Sequence, residues 1–379
     1  MPLTNINPKM STHQTSVKYR TLCQFFHIDL PLLISLLLLM TFGLFILYSA
    51  SNNNLYSIEQ QLFRIGLSIG IMLIFAQIPP FVYQRWALLL YSIGLLFLII
   101  VLIAGHVGNG AGRWLNLGII RVQPSEMMKL AIPMLLAYQC HKSHLPLTKN
   151  AILLALVIII VPALLTAKQP DLGTAIILMV AGASVLLFAG ISWRLVTLSG
   201  ALVTLSAPIV WYFMHDYQRR RVLTFLNPER DPLGAGYHII QSKIAIGSGG
   251  FFGKGWLSGT QSHLQFLPEH STDFIFAVCG EEFGFLGSLI LITLFMIIVL
   301  RGLYITINAQ DTFSRLIAGS LTVTFFVSFF TNMGMVTGIL PVVGLPLPLI
   351  SYGGSSMVTQ MASFGILMSI QTHRKLLTT

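Results

Sequence analysis

Two carboxylates stand four residues apart just before an apolar segment, Glu269 and Asp273 in the sequence FLPEHSTDFIF. If this segment is already helical, four residues are about one turn, and both side chains lie on the same face. A carboxylate held partly out of water becomes more basic and can take a proton from a substrate hydroxyl. An aspartate that opens a helix can instead serve as its cap. Asp273 is therefore the candidate general base, with helix capping as the other interpretation.

A second polar cluster lies in GRWLNLGIIRVQPSEMMKL, which contains Arg113, Gln123, Glu126 and Lys129. The Pro-Ser-Glu sequence is typical of a helix start, and Lys129 then falls one turn inside an apolar helix. A lysine within a membrane span is costly and usually faces a partner or a water-filled cavity. Because Lys129 is near the helix end, its ammonium group can alternatively extend to the nearby membrane surface.

The third cluster, AKQPDLGT, places Lys168 and Asp171 on either side of Pro170, where one apolar segment ends and the next begins. Asp171 is well placed to cap the following helix. A role of Lys168 or Asp171 in a polar site is the alternative, and the residues alone favour neither interpretation.

One connection, residues 215–272, is polar, glycine-rich and far longer than a turn requires. Long loops in compact proteins are usually functional or disordered. The aromatic content of this segment favours an ordered lid over a flexible connector. Its three consecutive arginines, Arg219 to Arg221, have no role that the sequence reveals.

The glycines of this loop do not form a nucleotide-binding motif. The run GSGGFFGKG lacks the first glycine of a phosphate-binding loop, and Gly255 follows Lys254 where serine or threonine is required. The dinucleotide-binding pattern is also absent. Most of these glycines are therefore predicted to serve backbone turns.

The elements that position these clusters are membrane-spanning helices. Hydrophobic residues make up 55% of the 379 residues and charged residues 9%, and apolar runs of about 20 residues, enough to cross a bilayer, recur along the chain. We predict an all-α polytopic membrane protein with a cytoplasmic tail at 1–29, a single domain of about ten helices at 30–372, and a second tail at 373–379. The large extracytoplasmic loop falls between the seventh and eighth spans. The predicted spans lie near 30–49, 61–78, 86–105, 126–140, 151–167, 172–190, 193–214, 273–300, 316–332 and 350–370.

Basic residues predict the orientation. With ten spans both ends share a side, and the tails and short loops of that side hold most of the basic residues outside the long loop. The opposite short loops hold only Arg113, Arg121 and Lys168. The positive-inside rule therefore places both termini in the cytoplasm. Of the 12 acidic residues, all but Asp29 and Asp311 then fall on the outer side, which indicates a polar site on that face.

Other classes of function fit less well. The net charge of +10 comes with no continuous basic stripe, so a nucleic-acid partner is not expected. A lipid flippase or other transporter predicts charges through the whole membrane depth, and the halves of this sequence show no inverted repeat. A scaffold that merely positions an enzyme would leave the outer charged clusters without a role.

Together these segments resemble the shape, elongation, division and sporulation family of bacterial membrane glycosyltransferases. The match covers nearly the whole chain from residue 30. It is specific in GRWLNLG with QPSEMMKL, in KQPDLGT, QSKIAIGSGGFFGKG and FLPEHSTDFIF, and in NMGMVTGILPVVGLPLPLISYGGSS. The form PVVGLPLPL at 341–349 is similar to the elongation branch of the family.

The resemblance implies polymerisation of lipid II into glycan strands outside the cytoplasmic membrane, in complex with a class B penicillin-binding protein. Asp273 matches the family's essential aspartate. Arg113, Lys129 and the Lys168 to Asp171 segment match polar positions lining its outward cavity. The remaining predicted substrate-binding residues stand in or beside the same motifs: Gln123, Glu126, Gln241 and Glu269.

The chemistry implied by this resemblance needs one base. The leaving group of lipid II is a lipid diphosphate, which needs charge stabilisation more than protonation, so Asp273 alone would activate the acceptor hydroxyl in an inverting transfer. Arg113, Lys129 and Lys168 are the candidate cations beside the diphosphate. A divalent cation, Mg²⁺ or Mn²⁺, could share this task through diphosphate oxygens, although the sequence contains no dedicated metal site.

Overall fold

The computed structural model describes residues 27–104, 106–108, 111–116, 121–143, 147–214, 216–230, 235–263 and 269–373. A helix occupies each of the ten positions predicted for spans. Their bounds are α1 Leu30–Ala50, α2 Leu55–Gln77, α3 Pro80–Ala104, α4 Pro124–Lys142, α5 Lys149–Lys168, α6 Leu172–Phe188, α7 Trp193–Phe213, α11 Ile275–Ile307, α12 Thr312–Val336 and α13 Ser355–Thr372. Most of both predicted tails lies outside the described residues.

Among the described residues, 6 helices are long and apolar enough to cross a membrane by length and composition, namely α1, α2, α3, α5, α11 and α12. The shorter helix α6 is also apolar. Large apolar side chains remain exposed on these helices, for example Leu38, Phe63 and Leu164. Such surfaces are stable against lipid, where every backbone group of a helix is already satisfied. The exact number of spans stays a prediction.

A small antiparallel sheet, which the sequence did not predict, lies between α3 and α4. Its strands are β1 His106–Gly108, β2 Ala111–Asn116 and β3 Arg121–Val122, in the order β1-β2-β3. Leu115 pairs with Val122 across the second ladder. β1 and β3 are too short to show the alternating pattern that reveals a strand in a sequence, and the sequence AGRWLN of β2 does not alternate.

The segment between α7 and α11 contains helices α8 Asp216–Leu226, α9 Ala235–Gly249 and α10 Thr260–His263 within its described residues. Arg219, the first of the three consecutive arginines, binds the end of α7. Its Nε donates a hydrogen bond of 3.0 Å to the Trp211 carbonyl, and its Nη2 donates one of 2.6 Å to the Tyr212 carbonyl. These carbonyls belong to the last turn of α7, which has no partners within its own helix.

The glycine-rich motif that follows α9 packs on a kink in α11, as its predicted role in backbone turns requires. Gly284 breaks the helical conformation of α11 with a φ of 65°. The Lys254 amide donates to the Glu281 carbonyl and the Gly255 amide to the Glu282 carbonyl, both at 3.0 Å. A Cβ on Gly253 would lie 2.1 Å from the Glu282 carbonyl oxygen, so only glycine permits this approach.

Lys254, the lysine of the rejected phosphate-loop interpretation, is part of this packing. Its Nζ lies 2.7 Å from Oε1 of the fully buried Glu281. The same oxygen accepts hydrogen bonds from the amides of Thr260, at 2.8 Å, and Gln261, at 3.0 Å. Glu281 therefore ties the glycine motif and the start of α10 to α11.

Helix α12 lies at the centre of the bundle and packs against α11, α6 and α4. Phe329 on α12 stacks on Phe295 of α11 with ring centroids 4.6 Å apart. Helix α12 also contains buried polar residues, including Asn332 with 0% exposure. A polar side chain buried this deeply needs hydrogen-bond partners, and those of Asn332 lie at the candidate site.

Candidate active site

Asp273 lies in a turn, residues 269–274, that leads directly into α11. The helix begins at Ile275 with Phe274 as its N-cap residue, so Asp273 is not at the capping position. Residues 269–274 are not helical, so the condition under which Glu269 and Asp273 would share one helix face is not met. The Glu269 carbonyl accepts hydrogen bonds from the Thr272 and Phe274 amides, which closes a turn in place of a helix.

Three hydrogen bonds from distant segments fix this turn. Asn332 Nδ2 donates a hydrogen bond of 2.8 Å to the Asp273 carbonyl. The same atom donates one of 2.7 Å to the Leu345 carbonyl. Ser351 Oγ donates 2.6 Å to the Thr272 carbonyl, and the Tyr352 amide donates 2.9 Å to the Ser271 carbonyl. The backbone around the partly buried Asp273 is therefore held by α12 and by the loop that precedes α13.

The loop 341–349 presents bare backbone to the Asp273 carboxylate. Gly344 has a φ of +72°, and a Cβ built on it would lie 3.6 Å from Asp273 Oδ2. The left-handed conformation favours glycine here. The proline-rich motif that carries part of the sequence resemblance therefore lies beside the predicted base.

The same loop joins Asp273 to the start of α6. A Cβ on Gly173 would lie 2.9 Å from the Val343 carbonyl oxygen, so α6 and the loop are in close contact. Asp171 Oδ1 caps α6 by accepting from the Thr174 amide at 3.1 Å. Its Oδ2 accepts from Gln123 Nε2, also at 3.1 Å. Asp171 therefore both caps its helix and links the second and third polar clusters.

Glu126 and Lys129 form a buried ion pair on the first turns of α4. Their Oε1 and Nζ atoms are 2.6 Å apart, and each residue is only 6% exposed. The alternative in which Lys129 extends to the membrane surface is therefore wrong. Three residues on a helix bring two side chains to the same face, and pairing offsets part of the cost of burying both charges.

The remaining predicted site residues are less constrained. Lys168 is exposed at the end of α5, and Glu269 is exposed with a φ of 55° while its Oε2 accepts from Thr272 Oγ1 at 2.5 Å. Gln241 is half-buried on α9, a helix tied to α12 by a bond of 2.8 Å from Ser242 Oγ to the Val336 carbonyl. Arg113 belongs to β2, and its side chain lies outside the described residues.

Sequence reasoning missed Asn332 and Tyr352, which organise the turn around Asp273. Asn332 could have been identified from the sequence, because an amide within an apolar span is usually functional or hydrogen-bonded. Tyr352 could not, since a tyrosine beside two glycines is typical of many loops. Arg64 on α2 was also left without a role, although its guanidinium group stacks on the Tyr352 ring with its carbon 4.1 Å from the ring centroid.

A family description, FTSW_RODA_SPOVE, cell cycle protein, matches residues 25–376. The chain belongs to this family. It is 52% identical over 352 residues to the peptidoglycan glycosyltransferase MrdB of Escherichia coli K12, covering 93% of this chain and 95% of MrdB. It is 35% identical to the stage V sporulation protein E of Bacillus subtilis, covering 92% and 98% of the two chains.

Solved structures agree with this membership. One, described as "Structural coordination of polymerization and crosslinking by a peptidoglycan synthase complex", is 30% identical with a TM-score of 0.80 and covers 92% of this chain and 99% of its own. The rod shape determining protein RodA of Thermus thermophilus gives a TM-score of 0.70 at 24% identity, with 92% and 98% covered. The family match and the relatives confirm the predicted family, and the solved structures confirm the predicted helical fold of an integral membrane protein.

Proposed function

We propose that this chain, a peptidoglycan glycosyltransferase, polymerises lipid II with Asp273 as the general base. The acceptor's sugar hydroxyl attacks the anomeric carbon of the donor, and its proton passes to the Asp273 carboxylate. A carbon–oxygen bond forms as the bond to the lipid diphosphate breaks, and the diphosphate departs with the bonding electrons. Attack from the side opposite the leaving group inverts the configuration at the anomeric carbon.

The observation that carries this proposal is the way the Asp273 turn is held. Asn332, Ser351 and Tyr352 fix the backbone on three successive residues ending at Asp273. A general base works best when it is positioned before the substrate arrives, because no reorganisation is then needed during the reaction. The bare backbone of Gly344 leaves room beside the carboxylate for a sugar hydroxyl.

The departing diphosphate needs positive charge beside it. We assign this role to Arg113 and Lys129, and to Lys168, which is exposed at the end of α5. Glu126 uses one of the three N–H donors of the Lys129 ammonium group and holds the group in place, which leaves two donors for diphosphate oxygens. Gln123 and Asp171 support the same region by joining α4 to α6.

A divalent cation remains part of the proposal. Within the described residues there is no group of three or more His, Cys, Asp or Glu side chains that could hold a metal ion. Mg²⁺ or Mn²⁺ would therefore be bound chiefly by diphosphate oxygens, with one carboxylate of the site completing its ligands. The ion would supply charge stabilisation for the leaving group.

We further propose that the site faces the outside of the bacterial cytoplasmic membrane, with both termini in the cytoplasm. The starts of α4, α6 and α11 carry the candidate residues and lie at one end of the bundle, as the loop contacts among them require. The distribution of basic residues in the sequence supports placing this end outside. The partner is a class B penicillin-binding protein, in keeping with the synthase complex described above.

The test is polymerisation of purified lipid II by the chain in complex with its partner transpeptidase. Asp273→Ala and Asp273→Asn should abolish polymer formation while the complex stays folded. Glu229→Gln, which neutralises an exposed carboxylate in the same extracytoplasmic segment, is the matched control and should polymerise at the wild-type rate. Polymer from the folded Asp273 variants would exclude this residue as the base.

A further inference from the structure

One face of the first half of α2 forms an open groove of about 480 Å³, lined by Tyr56, Glu59, Gln60, Phe63 and Arg64. These residues recur at helical spacing and therefore lie on one face. Beside the groove, Leu62 is 50% exposed and Phe63 is 74% exposed. The groove consequently combines polar side chains with an apolar flank that faces lipid.

Arg64 is the cation of this groove. It lies roughly 14 Å along the helix axis from Leu55, the first residue of α2, at 1.5 Å per residue. A charged side chain at this depth of a span is costly, and it usually marks a functional site. Its Nη1 atom is buried and has no hydrogen-bond partner in the part of the chain that the structure describes.

Tyr352 holds the Arg64 guanidinium group in place. The ring lies under the guanidinium carbon at 4.1 Å, and the tyrosine hydroxyl donates to Gln60 Oε1. Stacking on a ring stabilises the positive charge and does not engage the N–H donors, which lie in the guanidinium plane. A planar fork of this kind matches a phosphate group, whose oxygens accept two N–H bonds side by side.

The groove and the turn of the predicted base share one segment. The Tyr352 amide bonds to the Ser271 carbonyl at 2.9 Å, and Ser351 Oγ bonds to the Thr272 carbonyl at 2.6 Å. From the groove side, Gln61 Nε2 donates to the Ser351 carbonyl at 3.4 Å. Arg64 is thus connected through residues 351–352 to the turn that holds Asp273.

We propose that this groove binds the phosphate-bearing head group of a lipid, with Arg64 as the anchoring cation and the lipid chain along the exposed face of α2. Resting on the proposed function, we assign the head group to the diphosphate of a polyprenyl-linked sugar. Glu59, the acidic residue of the lining, is exposed, and its negative charge repels an anionic head group. Removal of Glu59 should therefore strengthen binding, whereas removal of Arg64 should weaken it.

The experiment measures binding in the Asp273→Asn background, so that its result does not depend on which residue is the base. The probes are polyprenyl diphosphate, phosphatidylglycerol and inorganic diphosphate, each titrated into the full chain in detergent. Arg64→Gln should weaken polyprenyl diphosphate binding by roughly tenfold, as expected for one charge-assisted interaction. Arg64→Lys should recover part of this loss, and Glu59→Gln should bind at least as tightly as its parent.

Arg85→Gln is the matched control. Arg85 also stacks on an aromatic ring, that of Phe81 at 5.5 Å, but it lies beyond the opposite end of α2, so its loss should leave binding unchanged. Tyr352→Leu keeps the arginine and removes its support, and it should weaken binding in the same direction as Arg64→Gln. These variants separate loss of the site from loss of folding.

Three results would overturn the proposal. Unchanged affinity in folded Arg64→Gln would exclude Arg64 as the anchor. Equal, Arg64-dependent affinity for phosphatidylglycerol would assign the groove to a phospholipid and not to a diphosphate. Equal affinity for inorganic diphosphate would exclude a role of the lipid chain. Failure of Asp273→Ala to stop polymerisation would instead refute the base assignment and leave this binding result intact.

Discussion

Replacing Lys129 by methionine should strongly destabilise the protein. The Glu126–Lys129 pair is 2.6 Å long, and each residue is 6% exposed. Removing one partner of a buried pair leaves an uncompensated charge, which typically costs about 3–5 kcal/mol. Removing both charges in Glu126→Gln/Lys129→Met should return the free energy of unfolding to within about 1 kcal/mol of wild type.

The assay is a double-mutant cycle. The free energy of unfolding is measured for wild type, both single variants and the double variant by denaturant titration in micelles, followed by tryptophan fluorescence. Lipid II polymerisation is measured on the same preparations. We expect stability to recover in the double variant while polymerisation stays at least tenfold low, because the cation beside the diphosphate is still missing.

Two outcomes would refute this reasoning. Additive effects of the two substitutions, within about 0.5 kcal/mol, would mean that Glu126 and Lys129 are not coupled in the folded protein. Recovery of polymerisation together with stability would mean that the pair only supports the fold, and that another cation stabilises the leaving group.

Further predictions concern the turn around Asp273 and the end of the chain. Gly344→Ala should destabilise the protein by about 1–2 kcal/mol, because the φ of +72° at Gly344 disfavours a side chain. The same variant should have a lower kcat, and a wild-type kcat would show that the loop does not shape the site. Asn332→Leu should lower kcat with little change in the affinity for lipid II, because it removes the bond to the Asp273 carbonyl, and a change in affinity alone would contradict this positioning role. Burial, and then the neighbouring His373, lower the pKa of His27 below its ordinary value of 6.5. Between pH 6.5 and the lower pKa of the folded state, the unfolded chain therefore binds more protons than the folded chain. As the pH falls through this range, wild type should lose thermal stability more steeply than His27→Gln. Equal slopes of thermal stability against pH would contradict the lowered pKa.

The positions of the helices could be predicted from the sequence because they depend on local patterns. Apolar runs of about 20 residues marked the ten predicted spans, and Pro124 and Asp171 marked the starts of α4 and α6. The shorter helices α8 to α10 were not predicted. The glycine run after α9 was correctly assigned to backbone turns, because its spacing excluded a phosphate loop. These features are determined by residues close together in the chain.

The geometry around Asp273 could not be predicted in the same way. Asp273 lies in a turn held by Ser351 and Tyr352, which lie about 80 residues away in the sequence. No local pattern contains that information. The pairing of Glu126 with Lys129 was accessible, since residues three apart on a helix share a face, but their burial depends on the packing of α4 within the bundle.

The measurement that tests the central claim most directly is the single-turnover rate of Asp273→Asn at saturating lipid II, together with its affinity for lipid II. Removing a general base without disturbing binding should lower the rate by about 10²–10⁴-fold and change the affinity by less than about threefold. A near wild-type rate, or a loss confined to affinity, would contradict the assignment of Asp273 as the residue that takes the proton.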